Sequence, residues 1–147
     1  MDMSKLNNAV SQYNKINVAS SVETADPHRL IQMLMQGALE KIAIAKGYME
    51  RNDIANKGNN ISWAISIIEG LRASLNKEAG GDIAENLDEM YEYMIGRLLQ
   101  ANLDNSLTIL EEVSTLMRRI KTAWDEIPQM VELAGREKGG ENNTRSV

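Results

Sequence analysis

The chain contains no cysteine. That excludes a disulfide framework, thiol nucleophiles and every zinc site built on thiolates, and it suits a reducing compartment. It contains no phenylalanine either, and a single histidine, His28, so a metal centre or acid–base relay needing two imidazoles cannot be assembled. Only 16 of its 147 residues are Lys or Arg against 21 Asp or Glu, a formal net charge of -5. Nucleic acid and anionic lipid are poor partners for such a surface, since both are bound by basic patches that release counterions. No apolar run is long enough to span a bilayer. The opening "MDMSKLNNAV" is polar and has no apolar stretch of the kind a secretory leader requires, which predicts none.

What is present is helix. With 43% hydrophobic and 25% charged residues the composition is that of a globular domain, and 147 residues fit one domain with a real core. Nine methionines against no Phe make an apolar inventory of adaptable side chains. The first helix signal is "ADPHRL", in which Asp26 can cap and Pro27 suits the first helical position. Ile31, Leu34, Ala38, Ile42, Ala45 and Met49 then recur at three and four residues and share one face. "RND" at 51–53 interrupts the pattern. A second helix carries Ile61, Ala64, Ile65, Ile68, Leu71 and Leu75, and Gly80-Gly81 supply its stop. Asp82 and Glu85 have capping-box spacing for a third helix, with Ile83, Leu87, Met90, Met94 and Leu98 inward. "NLDNS" breaks it near Asn105. The fourth helix carries Leu110, Val113, Met117, Ile120, Trp124 and Ile127 and is expected to end at Pro128. These signals predict an all-α, antiparallel four-helix bundle over 26–128, preceded by an arm over 1–25 and followed by a polar, disordered tail over 129–147.

Chemistry is scarce on this scaffold. The paired Glu-x-x-His motifs of di-iron bundles need more histidine than the chain has. "DEMYE" and "LEEV" read as solvated helix faces rather than metal pairs, because Asp and Glu strongly prefer the surface. No Walker Lys-Ser/Thr follows Gly80-Gly81. Catalytic, cofactor-binding and metal-binding residues are therefore all expected to be absent, and the chain is not expected to be an enzyme. A histidine phosphotransfer domain is also a small helical bundle, and it gives an alternative reading in which His28 accepts phosphate. Against it, His28 stands at a helix entrance, and Ile31 and Gln32 occupy the places where such domains carry Lys and Gly.

The surplus of apolar residues says more. Beyond one stripe per helix, Trp63 and Ile67 form a second row on helix two. Ala84, Tyr91, Ile95 and Leu99, with Asn102, form another on helix three, and helix one has Leu30, Met33, Met35, Leu39 and Ile44 to spare. A bundle helix touching two neighbours absorbs some of these; the remainder predicts a groove that receives another helix. The arm is itself sticky: "SQYNKINVASSVE" sets Tyr13, Ile16, Val18 and Val22 among polar residues without a helical period.

"SQYNKINVASSVETADPHRLIQMLMQGAL", "KGNNISWAISIIEGLRASL", "GGDIAENLDEMYEYMIGRLLQANLDN" and "EEVSTLMRRIKTAW" follow one another in an order that resembles the flagellin-specific export chaperones, the FliS family. Met35, Gln36 and Gly96 depart from that family's common pattern. The resemblance implies a cytoplasmic bundle that binds the otherwise unfolded C-terminal part of flagellin. Such binding would prevent premature polymerisation and keep flagellin fit for the flagellar type III export apparatus. It implies no reaction and no cofactor, and it matches Tyr13 to the N-terminal tyrosine on which client binding depends. Tyr13, Ile16, Val18, Trp63, Ile67, Tyr91, Ile95 and Leu99 are the candidate flagellin-binding residues. An arm lying in the groove would also limit self-association of the client-free chaperone.

Overall fold

A computed structural model describes the backbone of residues 26–138 and the side chains of residues 26–127. Tyr13, Ile16, Val18 and Val22 lie outside the described residues. Among those described, the chain forms four helices and no strand: α1 (Pro27–Glu50), α2 (Ile54–Ala73), α3 (Lys77–Asp104) and α4 (Leu107–Lys138). Each packs mainly on the next, and α4 returns to α1, so four antiparallel helices close around one core.

The ends are set by short polar side chains. Asp26 accepts a hydrogen bond from the Arg29 amide at 2.7 Å, and Pro27 follows it. Asp53 caps α2 through the Asn56 amide, and Ser106 caps α4 through that of Ile109. Asn52 and Asn105 take positive φ (57° and 54°), as asparagine does more readily than other side-chain-bearing residues, and each ends the helix before it.

Three boundaries differ from the sequence expectation, two of them around the α2–α3 turn. α2 stops at Ala73, and the cap of α3 is Asn76, which accepts from the Ala79 amide at 3.1 Å; Asp82 is not the first cap. A helical turn then precedes a break at Gly81 (φ 51°, ψ −128°), a conformation open essentially to glycine alone. The glycine pair therefore interrupts α3 instead of ending α2. Ile83, expected inward, sits just beyond this break and is 72% exposed.

At the other end of the chain, α4 does not stop at Pro128 but continues to Lys138, so residues 129–138 are helical. Proline's fixed φ is compatible with a helix; what it removes is one amide donor.

The core follows the expected stripes. Leu34, Ala38, Ile42, Ala45 and Met49 of α1 meet Ile61, Ala64, Ile68 and Leu71 of α2, Met94 and Leu98 of α3, and Leu110, Val113, Met117 and Ile120 of α4. Met33 and Met35 are buried as well. Ion pairs stitch the outer seams. Arg72 of α2 meets Asp88 of α3 at 2.5 Å, Arg97 of α3 meets Glu112 of α4 at 2.9 Å, and Lys46 of α1 pairs with Glu111 of α4.

The Arg72 hydrogen bond, helped by Lys77, holds the Asp88 carboxyl below the usual carboxylate range. A depressed folded-state pKa stabilises the fold above the unfolded value, and that stability disappears as pH falls through the folded one. Asp88→Asn should therefore lower the melting temperature at pH 7, and the difference from wild type should shrink as pH is taken below about 4. Melting curves across that range read it out.

Candidate functional site

Helix four meets the start of helix one through a reciprocal lock. Pro128 has no N–H to give the carbonyl four residues before it, which belongs to Trp124. The His28 ring takes that place: its Nε2 lies 2.7 Å from the Trp124 oxygen and must carry the proton it donates. In return, Trp124 Nε1 donates to the His28 carbonyl at 3.0 Å. The two rings stack, with centroids 4.9 Å apart and planes within 7°. One turn further along α1, Gln32 donates to Asp125, which also pairs with Lys121. His28 is thus a bridge between helices and not a free surface imidazole.

Beside this lock the end of the bundle is hollow. A cavity of about 600 Å³ opens between Leu30 and Ile31 of α1, Leu75 in the α2–α3 turn, Ile83 and Leu87 of α3, and Trp124. Its floor includes Tyr91, only 2% exposed, whose phenol is pushed well above its ordinary pKa by burial. The Gly81 break lets the first turn of α3 form one wall. Gly80 lies there so close to Ala84 that an added Cβ would come within 2.8 Å of the alanine Cβ. The chain enters α1 at Pro27, on the cavity's rim.

The candidate site residues do not form one face. Ile67 and Tyr91 belong to the core, Ile67 with no exposure at all. Placing Ile67 on an outer row is therefore corrected: α2 packs on both α1 and α3, so its buried face is wide enough to take in Ile67 beside Ala64 and Ile68. Trp63 and Ile95 are half-buried against the core. Leu99 remains 53% exposed, and one turn on, Leu103 is 81% exposed, close to the α3–α4 turn. Leu103 was not singled out from the sequence, although its spacing of four from Leu99 was there to find. Tyr93 (50% exposed) donates its hydroxyl to Glu112 at 2.5 Å, and Ile54 and Ile44 add further exposed apolar surface.

No group of three or more His, Asp or Glu among the described residues is placed to hold a metal, and no helix there is long and apolar enough to cross a membrane. What the molecule presents is apolar surface and a hollow end. Residues 9–131 match the family described as flagellar protein FliS. The chain belongs to the FliS family. It is 51% identical over 119 residues to the flagellar secretion chaperone FliSB of Pseudomonas aeruginosa, covering 81% of this chain and 94% of that one. It is 46% identical to the flagellar secretion chaperone FliS of Salmonella typhimurium (80% and 88% covered) and 42% identical to that of Vibrio cholerae (82% and 88%).

The lock yields a coupled prediction. His28→Ala leaves the Trp124 carbonyl without a donor and should cost about 1–3 kcal/mol of stability. Pro128→Ala restores the missing amide, so the His28→Ala penalty should be smaller in that background. Denaturant melts of the four proteins in the cycle measure the coupling; equal penalties in both backgrounds would show that the histidine does not substitute for the missing amide.

Proposed function

We propose that this chain is a cytoplasmic export chaperone that binds the disordered C-terminal segment of flagellin. In that role it prevents premature polymerisation and hands flagellin to the flagellar type III export apparatus. The observation that carries this reading is the family match across residues 9–131, with relatives named flagellar secretion chaperones along most of their length. The surface supports it physically. A client that orders on binding gives up chain entropy and needs a long contact area, and Leu99 and Leu103 leave apolar surface exposed along α3.

The arm fits the same reading. Tyr13, Ile16 and Val18 precede the helix that starts on the cavity's rim, so the arm can cover apolar surface before the client arrives and limit self-association of the empty chaperone. Phosphotransfer through His28 is disfavoured, because Nε2 already donates to Trp124 and the ring is stacked.

Co-expression with a flagellin C-terminal fragment tests the proposal: a one-to-one complex should co-purify, and its absence would reject the reading. Leu99→Glu should weaken that complex by well over about tenfold while leaving the melting curve nearly unchanged, because a charge wet in the free protein must be desolvated in the complex. Ile67→Glu, by contrast, should unfold the bundle. Tyr13→Ala should cost about 2 kcal/mol of affinity, as loss of an aromatic anchor does, and calorimetry on one fragment measures both effects.

A further inference from the structure

One wall of the end cavity is built differently from the others. Ser74, Leu75, Asn76, Ala79 and Gly80 line it from the α2–α3 turn and the first turn of α3. Residues 76–83 are all exposed, so this wall buries little surface of its own. Bonds within it close on themselves: the Gly80 amide donates to the Asn76 carbonyl at 2.8 Å, and the Ala79 amide to the Asn76 side chain at 3.1 Å. Among the described residues a single ion pair joins this turn to the bundle, from Lys77 Nζ to Asp88 at 3.1 Å, and the Lys77 side chain is 53% exposed. Asp88 is also held by Arg72 of α2, so the acceptor of that pair is anchored in the bundle.

Both ends of this segment can bend. Ser74 closes α2, and Leu75 and Asn76 lie outside any helix. At the other end Gly81 turns the backbone between two helical stretches. Few buried contacts, one exposed tie and two bendable ends describe a segment that opens at far lower cost than the bundle unfolds. Behind it lie Ala84 and Tyr91, which line the cavity and are only 4% and 2% exposed. Gly80 sits directly against Ala84, with no room between them for a further carbon.

We infer that residues 75–81 form a lid on the end cavity, hinged at Gly81 and at Leu75-Asn76 and latched by the Lys77–Asp88 pair. An exposed ion pair is a weak and salt-sensitive fastening. The closed form is therefore favoured only modestly, and rising ionic strength shifts the lid toward open. Gly81 is needed for closure, because a side chain there opposes the backbone angles of the closed form. The four-helix core stays packed while the lid moves.

A chain without cysteine makes the lid directly measurable in the full-length protein. Ala84→Cys places one thiol beneath Gly80, and Ala101→Cys, at a core position with no exposure, reports opening of the whole bundle. Under native conditions a thiol reagent should modify Ala84→Cys more than about tenfold faster than Ala101→Cys, yet more slowly than either protein unfolded in denaturant. Adding Lys77→Met should raise the Ala84→Cys rate about two- to fivefold at low salt. High salt should speed the parent and leave the Lys77→Met protein nearly unchanged. Adding Gly81→Ala should raise the rate about tenfold or more, and neither change should alter the rate at Ala101→Cys. Leu87→Cys, on the neighbouring cavity wall, repeats the comparison with a second reporter. Equal rates at positions 84 and 101 would show that only global unfolding reaches Ala84, and a rate matching the unfolded chain would show that nothing covers it. Either result overturns the lid, as does an unchanged rate in both Lys77→Met and Gly81→Ala. No flagellin enters the measurement, so its outcome is separate from the chaperone reading.

Discussion

The bundle depends on one exchange at its open end. Pro128 takes an amide away from helix four, and His28 at the start of helix one supplies the missing donor to Trp124. The return bond from the indole to the His28 carbonyl fixes the pair in both directions. Helices joined by short turns pair with their sequence neighbours with little help, but α1 and α4 have no such tether. Their lock ties at this end two helices that core packing and the Lys46–Glu111 pair also join, and it sets one wall of the end cavity. It also fixes the start of α1. A proline that would ordinarily weaken a helix is here the reason a distant histidine has a partner.

Away from that end, the molecule separates two uses of apolar surface. Methionine and branched aliphatic side chains fill the core, where exposure falls to zero at Ala38, Ile42, Ile68 and Met94. A second population, led by Leu99 and Leu103, stays in water along α3. Exposed leucines four residues apart carry a standing cost in solubility, and a partner that covers them gives them a purpose. The polar interior shows the same division: Lys57 completes the end of α3, whereas the Trp63 indole N–H has no acceptor among the described residues.

Much of this was legible in the sequence. Asp26-Pro27, the Asn-Asp pair at 52–53 and Asn105-Ser106 mark helix ends by mechanisms local to a few residues, and the structure places ends there. The stripes on α1 and α4 were equally plain, because apolar residues recur on each at three and four residues. The phase of α2 was harder to read: with Ile65, Ile67 and Ile68 nearly adjacent, periodicity cannot separate Ile67 in the core from a residue facing outward. On α3 the Gly81 break shifts the phase, which turned Ile83 outward, and Tyr91 went to the core while Leu99 in the same row did not. Pro128 looked like a stop because the compensating donor lies 100 residues earlier in the chain. Pairings at that distance leave no local signature. The arm's role is readable only as chemistry and resemblance, since Tyr13 and its neighbours lie outside the described residues.

On the function proposed above, this apolar surplus serves to order an unfolded client. Titration calorimetry of the full chain with a flagellin C-terminal fragment, repeated at several temperatures, measures it most directly. Coupled folding and burial predict one-to-one binding with a large negative heat-capacity change and a gain in helical circular dichroism beyond the sum of the two partners. Binding with a heat-capacity change near zero and no gain in helix, or no binding at all, would contradict it.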